Sequence, residues 1–337
     1  MTIQEAVLSE LESRKGETVS GRVLADQLNV SRTAVWKAIE ELRQDGYDIE
    51  AAPNRGYRLS PRCDRLSKAA IGAALPDALR ERPLYVYDTL ESTNQTARQL
   101  ALDGAPDGTI VLADHQTGGR GRKGRCFFSP PASGIYISVL LRTVMPAAQA
   151  VRITTAASVA VARAIESVTG ISVQIKWIND LYLNGRKICG ILTDGAINME
   201  NGLFEYAVVG IGLNVHTDRL QFPPELRETA SSLYAETGVH TDRNVLAAAI
   251  IRELDGVWNE QSVSDYMTEY RARSCVLGHR IRVYGGGCDG EEAIALRIDD
   301  DGHLIVRLDD GCELTLHSGE ITIRPADAQG FTQNVKS

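Results

Sequence analysis

Apolar positions recur with helical spacing over the first sixty residues. Ile3, Ala6, Val7, Leu8 and Leu11 mark one helical face, and Val23, Leu24, Ala25 and Leu28 mark a second behind the cap candidate Ser20. A third helix starts at Ser31, whose hydroxyl can take a free N–H of the first turn, and runs to Arg43 with Val35, Ile39 and Leu42 inward. Only Asn29 and Val30 separate the second helix from the third. So tight a connection predicts a helix-turn-helix, whose second helix enters the major groove with its N-terminal residues at base edges. Arg32, Thr33 and Lys37 then point outward beside Ser31. Tyr47 to Ile49 and Tyr57 to Leu59, joined through Pro53-Asn54-Arg55-Gly56, predict a two-stranded wing with Arg55 at its tip.

The pattern then changes. Residues 60–83 read as a polar connector with a short helix over Lys68 to Leu75. Leu84 to Tyr87 is an apolar strand, and Ser92 or Thr93 can cap the helix carrying Ala97, Leu100 and Ala101. Strands follow over Thr109 to Ala113 and Gly134 to Arg142, then a long Ala- and Val-rich helix from Ala148 to Val168. Asn184-Gly185, between Leu181-Tyr182-Leu183 and Lys187 to Leu192, is the strongest short hairpin signal. Phe204 to Val209 continues as a strand into Gly210-Ile211-Gly212-Leu213-Asn214, where glycines suggest close approach of a ligand. Helices follow over Thr241 to Trp258 and Ser264 to Arg273. From Cys275 onward five short alternating strands separated by Gly-rich turns suggest a small SH3-like β-barrel. The expected class is α+β, divided at 1–62, 63–274 and 275–326.

Composition narrows the setting. At 337 residues two or three domains are expected, and 43% hydrophobic with 24% charged residues is ordinary for a soluble globular chain. No apolar run approaches a membrane span, and the first residues lack a secretory signal pattern. Six cysteines without a CxxC pair point to a reduced, cytoplasmic protein with no metal-like spacing. The net charge of −8 does not advertise nucleic-acid binding. Residues 1–60 hold 8 Lys or Arg against 10 Asp or Glu, a net of −2, so a helical protein-interaction module stands as the alternative to a DNA reader. Ser31, Arg32, Thr33, Lys37 and Arg55 nonetheless fall where phosphate and base contacts are needed.

Candidate chemistry concentrates in Gly118 to Arg125, which interleaves four glycines with Arg120, Arg122, Lys123 and Arg125. Glycines let the backbone approach a ligand, and the cations offer charge-assisted donors to phosphate or carboxylate oxygens. Gly119, Gly121 and Gly124 match GxGxxG. The dinucleotide fingerprint, however, needs a helix next, and Cys126-Phe127-Phe128-Ser129-Pro130-Pro131 cannot open one. Nor does Gly-Lys-Ser/Thr follow at P-loop spacing. A solvated basic loop is the bland alternative. Lys176 and Lys187 lie on strands, where burial is costly without a partner. They read either as charges kept for an anionic ligand, with Asp180 a partner or metal ligand, or as members of a structural salt bridge.

Several motifs together closely resemble the bifunctional biotin protein ligases and biotin operon repressors of bacteria (BirA type). They are Glu91-Ser92-Thr93-Asn94, Gln116 with Gly119 to Arg125, Lys176-Trp177-Ile178-Asn179-Asp180, Gly185-Arg186-Lys187 with Gly190-Ile191-Leu192, and Gly210 to Asn214. The resemblance spans nearly the whole chain, and the winged segment 31–37 with Arg55-Gly56-Tyr57 resembles bacterial regulators. It implies a central mixed-sheet catalytic domain of the biotin/lipoate ligase and class II synthetase-like type. It further implies that biotin and ATP, with Mg²⁺, give biotinyl-5'-AMP and pyrophosphate. Biotin then passes to a lysine of a biotin carboxyl carrier protein domain of a carboxylase. The adenylate also promotes the homodimer that binds operator DNA.

By the same resemblance Ser92, Thr93, Asn94, Gln116, Gly119, Arg120, Gly121, Arg122, Lys187 and Gly190 match positions that hold biotin or its adenylate. Arg125, Phe127, Asn179, Gly212 and Asn214 belong on the nucleotide side. Arg122, Lys176, Lys187 and Asp180 are the expected catalytic group, Asp180 as a candidate base. No metal ligand is assigned; Mg²⁺ comes with ATP. The family commonly has Trp where this chain has Phe127 and Pro where it has Ile178. Two readings compete: a lipoate ligase or other carboxylate-adenylating enzyme of the same fold, and a pure transcriptional regulator whose central domain only senses a metabolite.

Overall fold

The computed structural model describes residues 2–52, 55–143, 145–259, 263–285, 288–317 and 322–325. The turn residues Pro53, Asn54, Gly286 and Gly287, the strand start at Ile321 and the boundary at 326 lie outside them. The described residues form two compact units, one running to Glu81 and including Asp242–Ala249, the other holding Arg82–Thr241 and the chain from Ile250 on.

In the first unit α1 (Ile3–Ser13), β1 (Thr18–Val19), α2 (Gly21–Leu28), α3 (Arg32–Gln44), β2 (Ile49–Ala52) and β3 (Gly56–Leu59) build a winged helix, followed by α4 (Lys68–Ala74) and α5 (Asp77–Arg80). Both expected caps form: Ser20 Oγ accepts from Val23 N–H and Ser31 Oγ from Ala34 N–H, each at 3.1 Å. Asn29 at φ 52° makes the left-handed turn that lets α3 follow after only two residues. Val7, Leu11, Leu24, Val35, Ile39, Leu42 and Leu59 are buried together, which fixes α3 with Arg32, Thr33 and Lys37 outward. The wing strands join β1 in the order β1-β3-β2. Gly56 has φ 126°, and a Cβ there would collide with the Val19 carbonyl, so the wing can close only on glycine.

The second unit is organised on a seven-stranded sheet. Its elements are β4 (Leu84–Leu90), α6 (Thr93–Leu102), β5 (Ile110–Gln116), β6 (Gly134–Leu141), α7 (Ala150–Thr169), β7 (Gln174–Lys176), β8 (Asp180–Leu183), β9 (Arg186–Ile197) and β10 (Phe204–Asn214). The order is β4-β5-β6-β10-β9-β8-β7, with only β4 and β5 parallel, as the intervening α6 crossover requires. Asn184 (φ 49°) and Gly185 (φ 76°) turn β8 into β9, as the Asn-Gly pair predicts. α7 is buried along most of its length, from Val151 to Ile165, matching its Ala and Val content.

Then come α8 (Leu233–Thr237), α9 (Arg243–Asn259) and α10 (Val263–Ala272). β11 (Arg280–Gly285), β12 (Cys288–Ile298), β13 (Leu304–Leu308), β14 (Glu313–Leu316) and β15 (Thr322–Pro325) form the antiparallel order β14-β13-β12-β11-β15. The hairpin between β12 and β13 is tied to the seven-stranded sheet: Trp177 Nε1 donates to the Gly302 carbonyl at 2.7 Å. No helix among the described residues is long and apolar enough to cross a membrane.

Candidate active site

Three glycines clear a floor on neighbouring strands of the large sheet. Gly212 of β10 lies opposite Gly190 of β9, and Gly210 lies two residues before Gly212 with Ser138 of β6 as its partner. Larger side chains from elsewhere fill the space. A Cβ on Gly210 would run into Asn94 Oδ1; one on Gly212 would lie 2.5 Å from the Phe127 ring; one on Gly190 would lie 3.1 Å from Lys187 Nζ and 3.3 Å from Phe127. Asn94, Phe127 and Lys187, expected from three separate motifs, therefore meet over one patch of sheet.

The basic segment is less open than its glycines suggest. Gly121 N–H donates to Arg125 O at 2.7 Å and Phe127 N–H to Gly119 O at 2.9 Å, so it closes on itself as a small hairpin. Lys123 (φ 56°) and Gly124 (φ 72°) form its tip. Its four cations divide. Arg122 turns inward and donates to Asn179 Oδ1 at 3.0 Å. Arg120 lies at the rim, 3.4 Å from Glu91 Oε1 and 3.3 Å from Gln95 Oε1, while Lys123 and Arg125 are exposed. Burial pulls the Arg122 guanidinium below its usual range and the Asp180 charge opposes that pull, so it remains a cation held against a carboxylate.

Asn179 is fixed from both ends. Its Nδ2 donates to Ile191 O at 2.7 Å and its carbonyl accepts from Ile191 N–H at 2.9 Å, which docks the Lys176–Asp180 motif onto β9. The Trp177–Ile178 peptide is cis, and the buried Tyr270 hydroxyl donates to Ile178 O at 3.0 Å. Asp180 Oδ1 lies 2.6 Å from Lys187 Nζ. Lys176 Nζ sits 3.4 Å from the Tyr182 hydroxyl and 5.3 Å from its ring centroid. Of the two lysines, Lys187 is in an ion pair and Lys176 in a cation–π contact. Burial pushes the Tyr182 and Tyr270 phenols up, which keeps both as neutral donors.

At the start of α6 the expected cap does not form. Ser92 occupies the N-cap position without a side-chain capping bond. Gln116 supplies the acceptor instead: its Oε1 takes Thr93 N–H at 2.8 Å, because β5 ends beside the helix N-terminus. Gln116 Nε2 donates to Ser129 Oγ at 3.1 Å, which donates to Phe127 O at 3.0 Å. A Cβ on Gly119 would press on this cluster, 2.7 Å from Ser129 Oγ and 3.2 Å from Gln116 Nε2. Asn214, at the end of β10, donates to Ser231 O at 3.0 Å and is buried.

Two cations, a carboxylate and small polar groups over a bare floor suit a ligand that is itself polar and anionic. Residues 86–214 match the Biotin/lipoate A/B protein ligase family, and residues 3–58 match an HTH domain. Bifunctional ligase/repressor BirA of Bacillus subtilis (strain 168) is 38% identical over 327 residues, covering 94% of this chain and 97% of that protein. The chain belongs to the bifunctional ligase/repressor family. The relative of the same name from Escherichia coli (strain K12) is 29% identical and covers 93% of this chain and 95% of its own. Among solved structures, biotin protein ligase from Aquifex aeolicus in complex with biotin and ATP aligns at a TM-score of 0.62 and 25% identity, over 72% of this chain and 99% of that one.

For a bifunctional ligase/repressor the placement of side chains separates into two regions. Asn94, Gln116, Gly119, Arg122, Phe127, Asn179, Asp180, Lys187, Gly190 and Gly212 lie around the floor. Ser31, Arg32, Thr33, Lys37 and Arg55 are all exposed on the winged helix. Sequence reasoning passed over Ser138 and Asp194. Ser138 Oγ is 2.8 Å from Thr93 Oγ1 and 2.7 Å from Asn94 Oδ1, and Asp194 Oδ2 accepts from Asn94 Nδ2 at 2.9 Å. The available signal was Ser138 itself, a small hydroxyl inside the apolar run Gly134–Leu141.

Proposed function

We propose that this protein is an ATP-dependent biotin ligase that forms biotinyl-5'-AMP, transfers the biotin to a lysine of a biotin carboxyl carrier protein domain, and represses transcription through its winged helix. The observation that carries the ligase half is the pairing of Arg122 with Asn179 and of Lys187 with Asp180 beside the glycine floor. A biotin carboxylate attacking the α-phosphate of ATP brings two anions together, and they repel unless cations offset both charges and fix an in-line approach. Arg122 and Lys187 serve there, with Lys176 and the rim residue Arg120 on either side. Binding exchanges the neutral or intramolecular partners of these cations for ligand oxygens. No covalent enzyme intermediate is required.

Ser92, Thr93, Asn94, Gln116, Arg120 and Gly121 take the biotin end, and Arg125, Phe127, Asn179, Gly212 and Asn214 the nucleotide end. The hairpin 119–127 acts as the lid that shields the mixed anhydride until the acceptor amine arrives. Asp180 then receives the amine proton once the adenylate has drawn Lys187 away. Mg²⁺ enters with the ATP phosphates. Without ligand, Asp180 and Asn179 are engaged by Lys187 and Arg122, so no residue is assigned to hold the ion and no step is routed through it. Functionally the chain divides into a DNA reader (1–62), a ligase (63–274) and a C-terminal strand module (275–326). The adenylate-bound form is a cytoplasmic homodimer on operator DNA.

Incubation with ATP, labelled pyrophosphate and either biotin or lipoate tests this reading. Biotin-dependent exchange is expected. Exchange with lipoate alone would make the protein a lipoate ligase, and exchange with neither would leave a metabolite-sensing regulator.

A further inference from the structure

One large apolar side chain of the winged helix is left in water. Trp36 of α3 is 56% exposed, more than Ile3, Val23 or Val245 of the same unit. A single exposed hydrophobic residue is ordinary, and it is the position of this one that marks it. An α-helix turns about 100° per residue, which places Trp36 about 40° around the axis from Arg32 and about 60° from Thr33, between the two. Lys37 follows on the same arc. The opposite stripe of α3, made by Val35, Ala38, Ile39 and Leu42, is buried in the core. Trp36 therefore stands among exposed polar residues roughly a turn and a half beyond the cap at Ser31, in the part of a recognition helix that reaches base edges.

Charge points to what covers it. Residues 1–60 hold 8 Lys or Arg against 10 Asp or Glu, a net of −2, and on α3 itself Arg43 pairs with Glu40 at 2.6 Å and Lys37 lies 3.8 Å from Glu41. Sequence-independent attraction to phosphates is weak under these conditions, so a tight complex has to draw on contacts that involve no charge. In the major groove the one apolar group that a base edge offers is the 5-methyl of thymine. An indole presents a broad, rigid apolar face that can cover such a methyl while Arg32 and Lys37 hold the backbone on either side.

We propose that Trp36 is a specificity-determining residue of the DNA reader, whose indole packs on a thymine 5-methyl group in the major groove. The inference rests on the repressor reading and adds to it the identity of a base.

The probe is the duplex that the full chain, supplied with biotin and ATP, selects from a random-sequence pool. It is remade with deoxyuridine in place of one thymine at a time, which deletes only the methyl group. Binding is read by fluorescence anisotropy over a range of salt concentrations, with thermal melting, sedimentation and biotin-dependent exchange followed in parallel. In the unmodified protein at least one replacement is expected to weaken binding about threefold to tenfold, as the loss of one buried methyl implies. Trp36→Ala should bind the thymine duplex about fivefold or more weakly, lose the preference for thymine over deoxyuridine at that position, and keep the unmodified salt slope. Trp36→Phe, which retains an aromatic face, should recover part of the preference. Lys37→Ala should do the reverse, lowering the slope with the preference intact. Melting and exchange are expected to stay at the unmodified level in all three variants, since both side chains lie on the exposed arc of α3. Unmodified protein that ignores every deoxyuridine replacement overturns the proposal, as does a full thymine preference in folded Trp36→Ala. Weakened self-association in Trp36→Ala with the preference untouched overturns it too, and assigns the indole to an interface between copies. Failure to select any duplex overturns it together with the repressor reading, and intact exchange in that case leaves the ligase reading standing.

Discussion

Lys187 Nζ and Asp180 Oδ1, on adjacent strands, are 2.6 Å apart, so the cation expected to meet the substrate carboxylate is already matched by an anion of the protein. The arrangement gives a half-buried ammonium a partner before any ligand arrives. It also ties the two steps together, because a ligand that captures Lys187 frees Asp180. Lys187→Met should lower biotin-dependent exchange roughly 100-fold or more, since a donor aimed at developing charge is lost. Asp180→Asn should separate the half-reactions, keeping exchange within about tenfold while slowing transfer to the carrier lysine about 100-fold. Equal losses in both half-reactions would reduce Asp180 to a holder of Lys187.

Arg122 reaches across the cleft from the basic hairpin and donates to Asn179 Oδ1. Replacing it with glycine removes a charge-assisted donor and adds backbone freedom to a segment already bent at Lys123 and Gly124. Arg122→Gly should speed dissociation of biotinyl-5'-AMP about tenfold to 100-fold, measured by chasing preloaded adenylate with excess biotin. An unchanged off-rate would remove the lid role from this hairpin.

Features set by neighbouring residues were legible in the sequence. Ser20 and Ser31 cap their helices, Asn184-Gly185 turns a hairpin, and the Ala-rich stretch forms a buried helix because each needs only local chemistry. Ser92 holds the N-cap position without a capping bond because the acceptor comes from Gln116, 23 residues beyond Thr93, through the parallel pairing of β4 and β5. The Arg122–Asn179 bond spans 57 residues, and the Asn94–Asp194 bond 100. Such partners follow from strand register, which no local pattern specifies. The glycines of β10 announced a close approach but not the side chains that make it.

The cysteines offer a check on burial that does not depend on catalysis. Cys63, Cys189 and Cys275 are buried, while Cys126, at the base of the basic hairpin, and Cys312 are exposed. Burial pushes the Cys275 thiol up to about 12 and the Cys189 thiol up as well, and the Asp310 carboxylate raises that of Cys312. A raised thiol pKa means less thiolate, the reactive form, at any pH below it. At pH 8 a maleimide should therefore label Cys126 first, Cys312 more slowly, and Cys189 and Cys275 only after unfolding. Peptide mapping of the labelled protein reads this order directly, and adenylate should slow labelling of Cys126 if the hairpin closes over it.

Arg32 begins α3, exposed beside the capped Ser31, while the same helix buries Val35, Ile39 and Leu42. Its removal therefore costs no core packing, and a loss of DNA binding would report contact rather than misfolding. The winged segment has a net charge of −2, so nonspecific attraction is weak and affinity must rest on a few placed cations. Arg32→Ala should abolish measurable operator binding in the presence of biotin and ATP, while biotin-dependent exchange and transfer stay at the unmodified level. Lys37, 3.8 Å from Glu41 and otherwise exposed, should behave as a phosphate contact: Lys37→Ala weakens all sequences alike and lowers the salt slope by about one. Titrations by fluorescence anisotropy across a range of salt concentrations separate the two behaviours. Loss of ligation in Arg32→Ala would mean that the reader and the ligase are not independent modules.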